Sequence, residues 1–167
     1  MAEKDSGTND SVRGYNLIDE AKKTLEAAST RDTVALSRGP KYNLWTGRRD
    51  RLVSNINDVN IPGSDSPVSV TLQFFASKGI TKQEMVTLFR AHTVGFYKEI
   101  LAKKGLLQID QQLALDAGTK GFVLDFASNG DKFQKGFANA IVKMGEIDVL
   151  VGNQGEIRKK CSVFNRN

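Results

Sequence analysis

The stretch from Thr81 to His92 constrains the fold more tightly than any other part of this chain. Thr81-Lys82-Gln83-Glu84 puts a hydroxyl at a helix N-cap and a carboxylate three residues on, the reciprocal arrangement that satisfies two free N–H groups. The helix opened by this box sets Met85, Leu88, Phe89 and His92 at i, i+3, i+4 and i+7, all on one face. The same period recurs elsewhere. Leu17, Ile18, Ala21, Leu25 and Ala28 predict a helix over about 11–28. Val70, Phe74 and Phe75 predict one from near Pro67, with a shared apolar face and a stop at Gly79. A further helix is expected over about 96–104, stopping at Gly105. Another is expected over about 131–144, with Phe133, Phe137, Ile141 and Met144 aligned and Gly145 at its end. Thr33 to Leu36 is a short apolar piece. Residues 37–67 carry all three prolines together with Gly39, Gly47 and Gly63, and read as a long loop region. No strand-length alternation and no internal repeat stand out, so the fold class is mainly α. One domain over 1–167 is expected, with the polar residues 1–11 loose.

A chain of 167 residues, 40% hydrophobic and 26% charged, is in the globular range. Its net charge of +5 favours acidic partners only weakly. The basic clusters Arg48-Arg49-Asp50-Arg51 and Arg158-Lys159-Lys160 do not alternate with aromatic residues. They read as two solvated patches, and no nucleic-acid partner is expected. The lone Cys161 permits no intrachain disulfide. Residues 1–10 lack the apolar segment of a secretory signal, so a cytoplasmic location is expected for the chain as given. No run approaches the roughly 20 apolar residues of a membrane span, and no membrane partner is expected.

The chain holds one histidine, His92. One imidazole can ligate a metal or shuttle a proton, but not both. Read from its neighbours alone, a histidine on an apolar helix face is most often a core residue with satisfied nitrogens. One His and one Cys cannot build a structural zinc site. No phosphate-binding glycine loop and no Ser-His-Asp spacing is present.

Ala91-His92-Thr93-Val94-Gly95 resembles the proximal haem motif of plant secretory (class III) haem peroxidases. Further strings agree in the family's order. They are Arg13-Gly14-Tyr15-Asn16-Leu17-Ile18-Asp19, Arg31-Asp32-Thr33-Val34-Ala35-Leu36-Ser37 and Thr46-Gly47-Arg48-Arg49-Asp50. Gly105-Leu106-Leu107-Gln108-Ile109-Asp110-Gln111, Val142-Lys143-Met144-Gly145 and Gly155-Glu156-Ile157-Arg158-Lys159-Lys160-Cys161 follow. The resemblance covers almost the whole chain and implies a truncated haem-peroxidase-like helical fold. It implies haem b as cofactor, with hydrogen peroxide and small phenolic donors as substrates. By the same resemblance His92 is the axial ligand to the haem iron. Asp110 is the carboxylate behind that ligand's other nitrogen, where it makes the imidazole more electron-rich. Ser11 stands near a haem propionate, Pro62 in the donor-access region, and Thr93 at a proximal calcium ligand. Taken without the resemblance, Asp110 is a surface carboxylate, Pro62 a turn residue and Ser11 a helix N-cap.

The sequence departs from the family's pattern in ways that bear on activity. The resemblance implies that this sequence begins after the helix carrying the distal Arg and His. It also implies shortened segments between Ser29 and Thr30 and near Gly95-Phe96. Thr93 is left without the other calcium ligands, and calcium takes six to eight oxygens, so no family-type calcium site is expected. Arg38, Arg51 and Arg90 replace the family's usual glycines, and Trp45 replaces a proline. No distal acid–base residue can be named. Loss of such a group costs roughly 10²–10⁴ in rate. The expected function is therefore a weakened haem peroxidase. The alternatives are a haem-binding remnant with only pseudo-peroxidase activity and an inert product of a rearranged gene.

Overall fold

A computed structural model of the chain describes Glu20 and residues 42–43, 45, 47–89, 95–160 and 163–165. Among these residues there are six α-helices, one single-turn 3-10 helix at Ile56–Asp58 and no strand. The expected mainly α fold is thus what the structure shows. The described residues fall into two compact units, one built on Pro62–Ile147 and the other on Trp45–Ile61 with the segment after Asp148. The expected helix over 11–28 lies outside the described residues apart from Glu20, as does the Thr33–Leu36 piece.

The helical unit contains α1 (Val68–Ser77), α2 (Lys82–Leu88), α3 (Gly95–Leu101), α4 (Gln108–Leu115), α5 (Lys120–Ser128) and α6 (Gly130–Gly145). Pro67 caps α1, a position where a missing N–H costs nothing. Val68 and Thr71 form its buried line, with Leu72 and Phe75 packed beside them. Val70 is 48% exposed, so the predicted face is rotated: the core lies one residue to each side of it. At the end of α1, Gly79 takes φ +77°. Its N–H donates to Ala76 O and the Ile80 N–H to Phe75 O, closing the two orphan carbonyls in a Schellman turn. Ile80 is buried by this turn.

The capping box of α2 forms as expected. The Glu84 N–H donates to Thr81 Oγ1 at 3.3 Å and the Thr81 N–H to Glu84 Oε2 at 2.7 Å. Met85, Val86 and Thr87 are buried, and Leu88 and Phe89 pack at the core's edge. Helix α3 buries Phe96, Tyr97 and Ile100. It ends earlier than its pattern predicts. Lys103, not Gly105, holds the left-handed conformation (φ 62°), and the Lys104 N–H reaches back to Glu99 O at 2.9 Å. Gly105 has a different task. A Cβ there would lie 3.0 Å from the Gln111 backbone nitrogen, so the glycine lets the chain pass close against α4. Gln111 seals that approach: its Oε1 accepts the Gly105 N–H and its Nε2 donates to Ile100 O.

Helix α6 begins at the Asn129 cap, whose Oδ1 accepts the Lys132 N–H at 3.0 Å. Phe133, Phe137 and Ala140 are buried and Ile141 packs beside them. Met144, expected on the same face, is 41% exposed because the helix has passed the edge of the core by its last turn. Helix α6 packs most closely on α2, while α3 packs on α4 and α5. At the centre Tyr97 meets Phe96, Phe126 and Phe133 at ring-centroid distances of 5.3, 5.4 and 5.5 Å. Phe133 passes the stack on to Phe137. Such aromatic pairs add about 0.5–1.5 kcal/mol each beyond their burial.

The second unit is built on backbone and guanidinium contacts. Asp50 and Glu156 exchange N–H to O bonds of 2.7 and 2.8 Å in an isolated antiparallel bridge. Arg49 Nε donates to Gln154 O at 2.8 Å and its Nη2 to Gly155 O at 3.1 Å. Arg158 Nη2 donates to Arg51 O at 3.1 Å and its guanidinium lies 4.4 Å from the Phe164 ring centre. The two basic clusters are therefore not two separate solvated patches. Arg49 and Arg158 are half-buried and tie residues far apart in sequence. Arg51, one of the departures from the family pattern, pairs with Asp58 at 2.8 Å. Trp45, another, is 77% exposed.

Candidate functional site

Asp110 is the candidate site residue that the structure places most firmly. Helix α4 buries Ile109, Asp110, Leu113 and Ala114, so a carboxylate shares the buried arc with three apolar side chains. Only 3% of Asp110 is exposed. A carboxylate in that setting is costly unless something compensates its charge. One contribution is its place in the first turn of α4, where free N–H groups and the helix dipole favour negative charge. Asp110 also takes part in a polar or electrostatic interaction. The reading of Asp110 as a surface carboxylate, natural from its immediate neighbours, is overturned by this burial.

Pro62 lies half-buried at the start of the helical unit. The turn it opens closes with the Ser66 N–H on Gly63 O at 3.1 Å. Ser64 O in that turn accepts the Ile109 N–H at 3.2 Å, one residue before Asp110. The Pro62 turn and the Asp110 helix thus meet directly. His92, Thr93 and Ser11 lie outside the described residues, as do Arg38, Arg90 and Cys161. What is described is the frame around His92 in sequence: α2 ends at Leu88 and α3 begins at Gly95.

That frame is held at several points. Lys143 Nζ on α6 donates to Glu84 Oε2 at 2.9 Å and Oε1 at 3.1 Å. Partial burial pushes the Glu84 carboxyl up, but the Lys143 hydrogen bond, the Thr81 N–H and hydroxyl and the Lys143 charge outweigh it, leaving the carboxyl below its usual range. Tyr97 on α3 donates its phenol to Val86 O at 3.1 Å. Burial holds the Tyr97 phenol well above its ordinary pKa, so it keeps its proton. Thr119 is fully buried and donates to Leu113 O at 2.7 Å, closing the end of α4. Sequence reasoning missed Tyr97 and Thr119. Their signal was present only as an aromatic beside Phe96 and as a hydroxyl three residues after Asp116.

Comparison with known proteins agrees with this helical frame. A family model described as peroxidase matches residues 1–96. Peroxidase 44 of Arabidopsis thaliana is 40% identical, with 98% of this chain and 73% of the relative covered. Peroxidase 57 of the same plant is 35% identical, over 98% of this chain and 74% of the relative. Peroxidase 5 of Vitis vinifera is 30% identical, over 98% and 73%. The chain belongs to the plant peroxidase family. Membership implies a haem cofactor, and hydrogen peroxide and an electron donor as substrates. The alignment with Peroxidase 44 runs over 227 positions against the 167 residues here, so the relative carries interior residues with no counterpart in this chain. In this chain Gly95 and Phe96 are consecutive in the first turn of α3, with Phe96 buried.

Proposed function

We propose that the protein is a haem peroxidase of reduced efficiency that transfers electrons from small phenolic donors to hydrogen peroxide. Haem b, when bound, supplies the redox centre at which peroxide is cleaved. The chain's own part begins with His92, which holds the iron through one imidazole nitrogen. Asp110 accepts the proton-bearing nitrogen on the ring's far side and strengthens the imidazole as a donor. The observation that carries this reading is the burial of Asp110 at the start of α4. A water-shielded carboxylate at a positive helix end is the acceptor chemistry that an iron-bound imidazole requires behind it. Ser11 is assigned to a haem propionate and Pro62 to the edge where donors approach. The contact between the Pro62 turn and α4 supports a shared locality for donor access and ligand tuning. Thr93 is a vestige of a calcium position, and no calcium is assigned.

Reduced efficiency follows from the count of imidazoles. With His92 committed to iron, this sequence has no second histidine to move the peroxide proton. The same fact favours a second reading: a haem-binding protein whose peroxidase activity is only that of exposed haem. Turnover of hydrogen peroxide with a phenolic donor separates the two. The haem-loaded protein is expected to exceed an equal concentration of free haemin while falling well below a full-length relative. A rate equal to free haemin selects the second reading. Asp110→Asn is expected to raise the iron reduction potential with little loss of haem, measured by spectroelectrochemistry; an unchanged potential removes Asp110 from its role.

A further inference from the structure

Helix α2 spans only Lys82–Leu88, seven residues, too short to persist without outside support. Its first turn is held by the capping box and by Lys143 on Glu84. Its middle rests on α6, where a Cβ at Gly136 would lie 3.6 Å from Thr87 Oγ1. Its last turn is the one from which the chain departs toward His92. Met85 O there accepts the Phe89 N–H, and Val86 O accepts the phenol of Tyr97 from α3.

We propose that Tyr97 is a positioning residue for His92, fixing the end of α2 through the Val86 carbonyl and so fixing where the chain sets out toward the imidazole. The proposal rests on the reading of His92 as the axial ligand. Packing alone does not call for a tyrosine at this place. The ring is surrounded by Phe96, Phe126 and Phe133, and a phenylalanine would fill the same space. A buried hydroxyl is unfavourable without a partner, so its presence here is tied to the directional bond it makes. That ring cluster draws on α3, α5 and α6, which locates the phenol oxygen rigidly before it meets α2. The bond also joins residues 86 and 97 directly, closing the span that contains His92 at both ends. Closing a span in this way lowers the freedom of everything inside it.

The test compares Tyr97→Phe with Phe126→Leu in the full chain. Phe126→Leu opens a gap in the same aromatic cluster without removing a polar bond, and so reports what loss of packing alone does. Amide hydrogen exchange is read by segment, without haem and then with haemin added. Tyr97→Phe is expected to speed exchange across 87–96 about tenfold, the size set by one lost buried hydrogen bond, with little change in α5 and the rest of α6. Phe126→Leu is expected to speed exchange across the helical unit with no such local excess. With haemin, Tyr97→Phe is expected to weaken haem affinity several-fold and to shift the Soret band and the iron reduction potential; Phe126→Leu leaves band and potential in place. Uniform or unchanged exchange in Tyr97→Phe overturns the anchor. A local rise in exchange with unaltered band and potential overturns the positioning role. Should His92→Ala leave the haem spectrum as it was, the ligand reading itself fails, and the exchange data without haem still decide the anchor separately.

Discussion

In residues 62–147 the side chains fully shut off from water are large and apolar or aromatic: Tyr97, Phe126, Met85, Ile100 and Leu113 lead them. In residues 45–61 and 148–165 the recurring contact is instead a guanidinium or an amide on a backbone carbonyl. Arg49 reaches Gln154 and Gly155, Arg158 reaches Arg51, and Asn165 Nδ2 reaches Ile157 O at 2.9 Å. Among the described residues every buried hydrophobic side chain lies in the helical unit. Leu52, Val53, Val151 and Ile157 of the other unit are exposed. The lesson concerns how each unit fails. A core held by area burial gives way when volume is removed, at about 25 cal/mol per Å² plus the cost of the cavity. A unit held by a bridge and side-chain hydrogen bonds gives way when backbone geometry is disturbed, and opens locally at lower free energy.

The sharpest way to break this contrast is Phe126→Ala. Truncating a fully buried ring at the cluster's centre is expected to cost about 3–5 kcal/mol in urea unfolding followed by helix content. A loss below 1 kcal/mol would show that the aromatic cluster is not the core. Next in size is Gly155→Ala. Gly155 sits at φ +67°, and a Cβ there would collide with Asp50 O and approach Leu150 Cδ1 to 2.8 Å. The expected cost is about 1–3 kcal/mol, appearing as faster exchange at Asp50 and Glu156 and early proteolysis within 45–61. Unchanged protection of the Asp50 and Glu156 amides would mean that the bridge does not hold this unit.

The smallest effect is electrostatic and belongs to the helical unit. The Glu84 carboxyl is lowered in the folded protein, so its stabilisation is complete above the ordinary carboxylate range. It is lost as pH falls through the depressed folded value. Lys143 is 41% exposed, which leaves the pair open to solvent and salt. A double-mutant cycle of Glu84→Gln and Lys143→Met at neutral pH is expected to give a coupling of about 0.5–1 kcal/mol that shrinks in acid. A coupling that grew as pH fell would reverse the assigned sign.

What was legible in the sequence was mostly local. The Thr81–Glu84 box and the Gly79 stop need only neighbouring residues, and both form as read. The Phe133 and Phe137 stripe is visible for the same reason. Helices α4 and α5 were not seen. Gln111 and Gln112 interrupt the apolar period of α4, and Asp116, Gly118 and Gly121 suggest a longer turn than the one formed. Thr119 shortens that turn by bonding back to Leu113 O, a contact with no signature in composition. Arg49 and Arg158 looked solvated because the carbonyls they bind lie about a hundred residues away in sequence. Asp110 was legible only through its motif's resemblance to the peroxidases. Nothing in its own neighbours distinguishes a buried carboxylate from an exposed one.

The claim on which the function depends is that the lone imidazole of His92 binds the haem iron. Titration of the purified chain with haemin, followed at the Soret band beside His92→Ala, measures it most directly. The account predicts a saturable, red-shifted band in the wild-type chain, and its loss or displacement in the variant. Identical titrations for the two proteins would contradict it.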